Sequence, residues 1–339
     1  MRLRTLCILS AFLVLPVFSH SCKEKEETKE YMNGSVTVVH NMPAYVQPGE
    51  KYTFTPSGVT APDGSNVGYY FSLPIGSKLD TLKNGATSFV YEVPDSLGSF
   101  SITCCAYSIE SSSKYYVTSS TMSFMVVSDD PDHGSITNVS HDDSDYPVYI
   151  DGRQYYAGEV GDISWLRSNL CVVRRDEKGN EVFGHSFQGS SAMQNIFGAY
   201  YTWEEAQTAC PAGWHLPSDA EWVKLLKAVG APMDLEPMQP SPSGAGKLMV
   251  KARFNGDYMW DYYRGVNITN EALSAIPTGY ATVTDGVYLF KGVFDYAMFW
   301  TSDEYEGKGV YRYIHKEHDD VYVNVADKQS FALSVRCIK

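Results

Sequence analysis

The cysteine, histidine and carboxylate side chains are the groups in this sequence that could do chemistry, and their spacing limits what that chemistry is. The chain lacks the sequence patterns of serine hydrolases, zinc proteases, phosphate-binding loops and paired-cysteine redox centres. Metal-ligand spacing occurs in HKEHDD (315–320), but strand-like residues flank this run, so a solvated hairpin turn is favoured over a zinc or nickel site. His185 and His215 have no catalytic partner close in sequence. We therefore predict that the protein is not an enzyme.

Residues 1–21 are predicted to be an export signal, because two arginines precede a short apolar core that ends in small residues. Cys22 follows the expected cut directly, which is the position of the acylated cysteine in bacterial lipoproteins, although Ser19 stands where such signals usually have leucine. We predict that Cys22 is lipidated, with cleavage by a general signal peptidase as the alternative. The polar tether at 22–34 resembles the acidic signals that send Bacteroides-type lipoproteins to the outer membrane, facing the exterior.

The composition is that of a globular chain long enough for two domains. Hydrophobic residues make up 44% of the 339 residues and charged residues 20%. The net charge of −13 argues against nucleic acid or anionic lipid as a partner. Contact with a membrane is therefore expected through the lipid anchor only.

Residues 35–128 are predicted to form an all-β, immunoglobulin-like sandwich. Short apolar or alternating runs such as KYTFT and SFSITCCAY are separated by turn clusters such as PDGSN and KNGA, without helical periodicity. Cys104 should face the core and Cys105 the opposite side, both as free thiols. Residues 129–147 are rich in aspartate and are interpreted as a polar linker, with a calcium or transition-metal site as the alternative.

Two short helices are predicted around TWEEAQTACPAGWHLPSDAEW (202–222). Thr202 and Glu205, and again Ser218 and Glu221, have the spacing of a helix-capping box. Apolar residues then recur at helical spacing, and a proline ends the first helix while a glycine ends the second. An irregular corner should join the two helices.

This stretch resembles the signature of the Fibrobacter succinogenes major paralogous domain family. The motifs DGRQYYAGEVGDISWLRSNL, ITNEALSAIPTGY, MFWTSDEY, VYRYI and FALSVRCIK follow in the family's order and cover almost all of residues 149–339. The family is similar to the C-type-lectin-like fold. The resemblance therefore implies an α+β, C-type-lectin-like domain at residues 148–339.

The resemblance also implies a disulfide. In the lectin-like fold a cysteine of the first helix is bonded to one on the last strand, and these positions correspond to Cys210 and Cys337. Closing so long a loop is worth roughly 5 kcal/mol on the entropic model. Cys171 would then be a buried free thiol. The tryptophans inside the family motifs should be core residues: Trp165, Trp203, Trp214, Trp222 and Trp300.

The resemblance does not extend to the sites of related proteins. Calcium-dependent lectins use Glu-Pro-Asn or Gln-Pro-Asp with Trp-Asn-Asp, whereas this chain has EPM (236–238) and WTSD (300–303), so calcium-mediated sugar binding is not carried over and no cofactor is expected. The fold also resembles that of formylglycine-generating enzymes, which use a reactive cysteine pair. No second cysteine remains to pair with Cys171, so an oxidase is the least favoured function.

The insert GDYMWDYYRGVNITNE (256–271) is the predicted ligand-binding loop. A sugar ring needs flat apolar faces and hydrogen-bonding groups together, and the insert offers both, although a loop that covers its own core with tyrosines is the alternative. Trp260 is the principal candidate, because it lies outside the family motifs. The other candidates in the loop are Tyr258, Tyr262, Tyr263, Arg264 and Asn267, and a second, weaker group is Asp303, Glu304 and Tyr305.

These observations predict a non-catalytic, lipid-anchored protein of the bacterial surface that recognises a glycan or a surface protein through its C-terminal domain. A structural subunit of a surface assembly, or an adhesin, is the alternative function.

Overall fold

The computed structural model describes residues 28–73, 79–81, 87–130, 132–137, 139, 143–260 and 266–339. Strands predominate in this part of the chain and its helices are short, which confirms the β-rich fold expected from the sequence. The predicted export signal and Cys22 lie outside the described residues. No helix in the described ranges has the length and apolar character needed to cross a bilayer.

The N-terminal part consists of two sheets that enclose an aromatic core. Its strands are β1 (Asn33–Val39), β2 (Tyr45–Val46), β3 (Lys51–Thr60), β4 (Val67–Ser72), β5 (Leu79–Thr81), β6 (Phe89–Glu92), β7 (Gly98–Ser108) and β8 (Thr118–Val126). One sheet has the order β1-β3-β6 and the other β2-β8-β7-β4-β5. Inward side chains such as Phe71 and Phe89, whose ring centroids are 4.7 Å apart, fill the core. Cys104 and Cys105 are both free thiols, as predicted; Cys104 belongs to the core cluster, and Cys105 lies outside that cluster but is buried as well.

The C-terminal part surrounds its helices with small antiparallel sheets. Its first strands are β9 (Ile136–Thr137), β10 (Tyr146–Ile150), β11 (Arg153–Val160), β12 (Ile163–Leu166), β13 (Arg174–Arg175), β14 (Glu181–Phe183), β15 (His185–Ser186) and β16 (Ala199–Tyr200). The later strands are β17 (Arg253–Phe254), β18 (Asp257–Tyr258), β19 (Tyr280–Thr284), β20 (Val287–Lys291), β21 (Tyr296–Tyr305), β22 (Lys308–His315), β23 (Val321–Ala326) and β24 (Phe331–Ala332). The helices are a 3-10 turn (Phe187–Gly189), α1 (Ser191–Phe197), α2 (Trp203–Ala209), α3 (Asp219–Ala228) and α4 (Ala245–Leu248).

Both predicted capping boxes are present at the starts of α2 and α3. The Thr202 hydroxyl accepts a hydrogen bond from the Glu205 amide, and the Glu205 carboxylate accepts one from the Thr202 amide at 2.8 Å. Ser218 and Glu221 repeat this exchange, with the corresponding amide-to-carboxylate bond at 2.7 Å. Each box satisfies backbone N–H groups that have no partner inside the helix.

The final segment of the chain runs through the middle of this part. Ile338 pairs with Trp165 on one side and His215 on the other, and Leu333 pairs with Tyr201. Cys337 is bonded to Cys210, with the two Cα atoms 5.7 Å apart, so the implied disulfide is confirmed.

Residues 129–147 are not only a solvated linker. β9 joins a sheet with β17 and β18, and Ser135 is buried. Asp145 forms a buried ion pair with Arg167. The aspartate content indicated a linker, but β9 in this stretch pairs with β17, and Asp145 is bonded to Arg167. The HKEHDD run begins at the last residue of β22 and ends directly before β23, as expected for a hairpin turn.

A candidate ligand cleft between the sandwich and the C-terminal part

Trp260, the principal candidate for sugar stacking, is a core residue. Only 2% of its surface is exposed, and it packs in the cluster that contains Leu248 and Ala272. Its indole N–H donates a 3.0 Å hydrogen bond to the Ala275 carbonyl. The predicted stacking role is therefore wrong, because the ring has no free face. The described end of the insert, residues 266–271, runs along α4, where the Thr269 amide donates to the Gly246 carbonyl at 2.9 Å and the Glu271 amide to the Lys247 carbonyl at 2.6 Å.

The other predicted ligand residues do not form one site in the described structure. Tyr262, Tyr263 and Arg264 lie outside the described residues. Asn267 is exposed beside α4, where its backbone crowds Gly246. The second group of candidates, Asp303, Glu304 and Tyr305, lies at the end of β21, where two of the three side chains are bonded to other residues. The Asp303 carboxylate caps α3 by accepting from the Asp219 amide, Glu304 pairs with Lys328, and Tyr305 is half exposed.

Tyr258 lies beside a cleft that sequence reasoning did not anticipate. A cavity of about 380 Å³ lies between the ends of β7 and β8 and the β17–β18 hairpin. Gly98, Ser99 and Met125 line it from the sandwich, and Phe254, Asn255, Asp257, Tyr258, Met259 and Phe294 line it from the C-terminal part. Ser99 and Met125 also line a neighbouring cavity of about 810 Å³, bordered by Tyr45, Phe100 and Gln188. We call these two adjoining cavities the interdomain cleft.

Packing contacts between the two parts of the chain fix the positions of the two walls of the cleft relative to each other. Val127 is fully buried in a cluster whose other buried members, such as Phe187 and Phe197, come from the C-terminal part. Tyr45 packs edge-on against Phe187, with ring centroids 5.3 Å apart. The Asn255 side chain donates a 3.2 Å hydrogen bond to the Val126 carbonyl.

A two-residue turn sets the position of Tyr258. Phe254 pairs with Asp257, so Asn255 and Gly256 form the turn, and both have positive φ, 48° and 92°. This is the combination that Asn-Gly adopts readily in a tight hairpin. The Asn-Gly pair in RFNGDY was the available sequence signal for this hairpin.

The cleft combines aromatic rings with polar groups. Tyr258 is 44% exposed and Phe294 is 38% exposed. The Arg253 guanidinium lies 3.8 Å from the centroid of the Tyr258 ring, which fixes the ring's orientation. Asp257 and Ser99 add a carboxylate and a hydroxyl. Apolar ring faces beside hydrogen-bonding groups match the two kinds of surface that a sugar ring presents.

Two details of the cleft point to a ligand more directly. The Asn255 Oδ1 atom is buried and accepts no hydrogen bond from any residue that the structure describes. A buried acceptor of this kind normally has a partner, either protein or water. Phe294 has a φ of 68°, an uncommon value for a bulky side chain, and its amide donates to the Pro277 carbonyl at 2.9 Å. Backbone strain of this kind concentrates at ligand sites.

Two histidines without partners in sequence acquire carboxylate partners in the fold. His185 Nε2 lies 3.4 Å from Glu205 and its Nδ1 lies 3.9 Å from Glu181, while its ring stacks on Tyr288 at 3.7 Å. Burial raises the pKa of Tyr288, and the charges of Glu205 and Glu181 raise it further. His215 Nε2 lies 3.1 Å from Glu221. Both contacts link a histidine to a capping-box glutamate, so they reinforce helix ends.

Cys171 is a buried thiol that lies against a tyrosine hydroxyl. The Tyr155 hydroxyl lies 2.9 Å from its sulfur and also accepts a hydrogen bond from its amide at 3.1 Å. The other free cysteines, Cys104 and Cys105, belong to the sandwich, and Cys210 is in the disulfide. No cysteine pair for oxidative chemistry is assembled in the described residues, and the absence of enzymatic activity stays a prediction.

The turn between β22 and β23 could hold a metal ion. Single ligand atoms of His315, Glu317 and His318 all lie within 4.8 Å of one another. Two imidazoles and a carboxylate form a ligand set suited to zinc or nickel. Glu317 and His318 are exposed, so this cluster is separate from the buried cores.

These observations define the class of the C-terminal part: a β-rich, loop-rich module in which the cysteine at the end of α2 is bonded to the closing segment. Residues 159–339 match the model of the Fibrobacter succinogenes major domain, which covers more than half of the chain. The chain belongs to this family. No curated protein sequence matches it significantly.

Proposed function

We propose that the protein is a non-catalytic binding protein of the bacterial cell surface that recognises a glycan in the interdomain cleft. In this proposal the lipidated Cys22 and the tether at 22–34 anchor the chain to the outer membrane. The immunoglobulin-like sandwich acts as a spacer that displays the C-type-lectin-like part. The N-terminal sequence, the domain order and the family membership support these assignments.

The interdomain cleft is the single observation that carries the glycan proposal. It places the exposed rings of Tyr258 and Phe294 beside Asp257 and beside the Oδ1 atom of Asn255, which accepts no hydrogen bond from the described residues. Aromatic faces favour the C–H surface of a pyranose, and acceptors favour its hydroxyl protons. Because both parts of the chain line the cleft, the proposal also assigns the sandwich a share in recognition.

Glycan-array binding followed by affinity electrophoresis tests this function. Tyr258→Ala should weaken retention of the bound glycan about tenfold, which corresponds to about 1.4 kcal/mol of lost stacking and hydrogen bonding. Tyr149→Ala is the matched control, because Tyr149 is 70% exposed on β10. Both variants should keep the melting temperature of the wild type, since both side chains are exposed.

Equal retention by Tyr258→Ala, Tyr149→Ala and the wild type would remove the cleft as the glycan site. A protein that binds no glycan but holds a stoichiometric protein partner from outer-membrane extracts would favour the alternative function, a subunit of a surface assembly or an adhesin.

A further inference from the structure

Three arginines line a second cavity, away from the interdomain cleft. The cavity has a volume of about 160 Å³ and lies in the C-terminal part, where Arg153, Arg167 and Arg336 line it together with Asn195 and Ser168. Ser168 is exposed, so this wall of the cavity reaches the surface. We call this space the arginine cavity.

Arg336 has a buried charge without a carboxylate partner among the described residues. Its side chain is fully buried, and its guanidinium donates to Asn169 Oδ1 at 2.8 Å and to the carbonyls of Leu166 at 2.9 Å and Leu273 at 2.6 Å. A longer bond of 3.5 Å reaches the Ser274 carbonyl. All of these acceptors are neutral. Burial, followed by the nearby charge of Arg167, lowers the pKa of Arg336 to about 9.

A second buried arginine in the same part of the chain shows the usual arrangement. Arg312 is also fully buried, but its guanidinium forms two hydrogen bonds with the Asp219 carboxylate, at 2.6 and 2.9 Å. Buried charges in proteins are normally paired in this way. Arg336 departs from that rule at a position where a cavity adjoins it.

The neighbouring charges do not neutralise the arginine cavity. Asp145 accepts hydrogen bonds from Nε and Nη2 of Arg167, at 2.8 to 3.1 Å, and leaves Nη1 without a bond to any described residue. Both terminal nitrogens of Arg153 donate to Asn195, whose amide donates to Asp129. Three arginines therefore line this space, and Asp145 is the one carboxylate bonded directly to any of them in the described structure.

We propose that the arginine cavity binds a small oxyanion, meaning a carboxylate, sulfate or phosphate group. Arg336 forms the inner end of the site, and Arg167 and Arg153 line it nearer the surface. Planar guanidinium groups recognise such oxygens with paired, charge-assisted hydrogen bonds. A volume of about 160 Å³ suits a single anionic group. This site is separate from the interdomain cleft and does not depend on the glycan proposal.

Thermal unfolding of the full chain during anion titration tests the proposal. Sodium acetate, sulfate and phosphate are each titrated against chloride at constant ionic strength, so that screening is the same throughout. At least one oxyanion should raise the melting temperature along a saturable curve, because a ligand that binds only the folded state stabilises it by mass action. Titrations with glucuronate and with glucose separate an acidic sugar from a free ion. If glucuronate raises the melting temperature at lower concentrations than acetate does, the anion is carried by a sugar.

Two variants of equal charge assign the effect to this site. Arg153→Gln should weaken the apparent affinity for the oxyanion at least tenfold. Arg174→Gln removes the same charge from the exposed strand β13 and should leave the affinity unchanged. No saturable rise with any of the anions in the wild type would overturn the proposal, whatever the variants do. An equal loss of affinity in both variants would also overturn it, since it would mark a general charge effect.

Discussion

Arg312 and Asp219 form a buried ion pair that fastens the start of α3 to strand β22. The side chains are 0% and 2% exposed, and the Asp219 carboxylate also accepts a hydrogen bond from the Met238 amide at 2.7 Å. The third guanidinium nitrogen of Arg312 donates to the Gln239 carbonyl at 2.8 Å. Each polar atom of the pair is therefore used, which is the condition under which buried charges are tolerated.

Removing one partner of this pair should be costly. Asp219→Ala leaves a buried guanidinium without its counter-charge, and we expect the free energy of unfolding to fall by about 3–5 kcal/mol. Urea denaturation measures the loss. The matched control is Glu92→Ala, which breaks the Lys51–Glu92 pair, where both side chains are more than half exposed, and should cost less than about 1 kcal/mol. Equal losses for the two variants would contradict the argument from burial.

At the residue scale, sequence patterns predicted chemistry better than they predicted exposure. Spacing identified the capping residues, because they depend on a local pattern, and the family resemblance implied the disulfide cysteines. Trp260 was misassigned, since a tryptophan in a loop has the same sequence signature whether its face is free or packed against α4. The sequence also could not show that Arg336 is buried without a carboxylate partner among the described residues, because its surroundings are set by the fold.

The helices α2 and α3 show how a local signal sets an element. In each, a hydroxyl and a glutamate three residues later exchange hydrogen bonds with the backbone. Burial alone would raise the pKa of Glu205, but hydrogen bonds from His185 and Thr202 outweigh it and lower the pKa below its ordinary value of 4.5. Glu221 follows the same pattern with His215 and Ser218, and its pKa is lowered as well.

These lowered pKa values predict how the caps respond to acid. A carboxyl group whose pKa is lower in the folded state stabilises the fold above its unfolded pKa, and this contribution is lost as the pH falls through the folded value. The double variant Glu205→Gln, Glu221→Gln should be less stable than the wild type at pH 7, by about 1 kcal/mol for each cap. The difference should shrink as the pH falls below about 4.5. Denaturation curves between pH 7 and pH 3 measure it.

The exposed Glu177→Gln variant is the control for that experiment, because Glu177 lies in the turn between β13 and β14 and caps no helix. Its stability should follow the wild type at every pH. A stability gap for the double variant that stays constant down to pH 3 would contradict the assigned role of the two carboxylates.

The order of elements followed from sequence, and their assembly only in part. Alternation and turn clusters predicted the sandwich strands, and family motifs predicted the order of the C-terminal elements. The pairing of β9 with β17 could not be read from residues 129–147, since their aspartates have the composition of a linker. The interdomain cleft was equally hidden, because its walls come from segments more than 100 residues apart that only the fold brings together.

At the scale of the whole molecule, the Cys210–Cys337 disulfide closes a loop over a sequence separation of 127 residues. Constraining so long a loop in the unfolded chain is worth about 5 kcal/mol on the entropic model, although measured values for native disulfides are commonly about 2–5 kcal/mol. The double variant Cys210→Ser, Cys337→Ser should lose stability in that range in guanidinium unfolding. Adding reductant should destabilise the wild type to a similar level and leave the double variant unchanged.

Cys104→Ser serves as the control for the disulfide, because that thiol is buried and unbonded in the sandwich. Its response to reductant should match that of the wild type. A wild type whose unfolding midpoint does not move on reduction would show that the closing segment is held by its packing alone.

The position of residues 331–339 has a consequence for biosynthesis. Arg336, Cys337 and Ile338 are fully buried, and the strand-like segment that carries them separates Trp165 from His215. The ribosome makes Trp165 and His215 long before it reaches Ile338. The position between them in the nascent chain therefore stays unfilled until this segment has been translated. The C-terminal part can therefore close only after this segment has been made, and until then its apolar interior is open to chaperones.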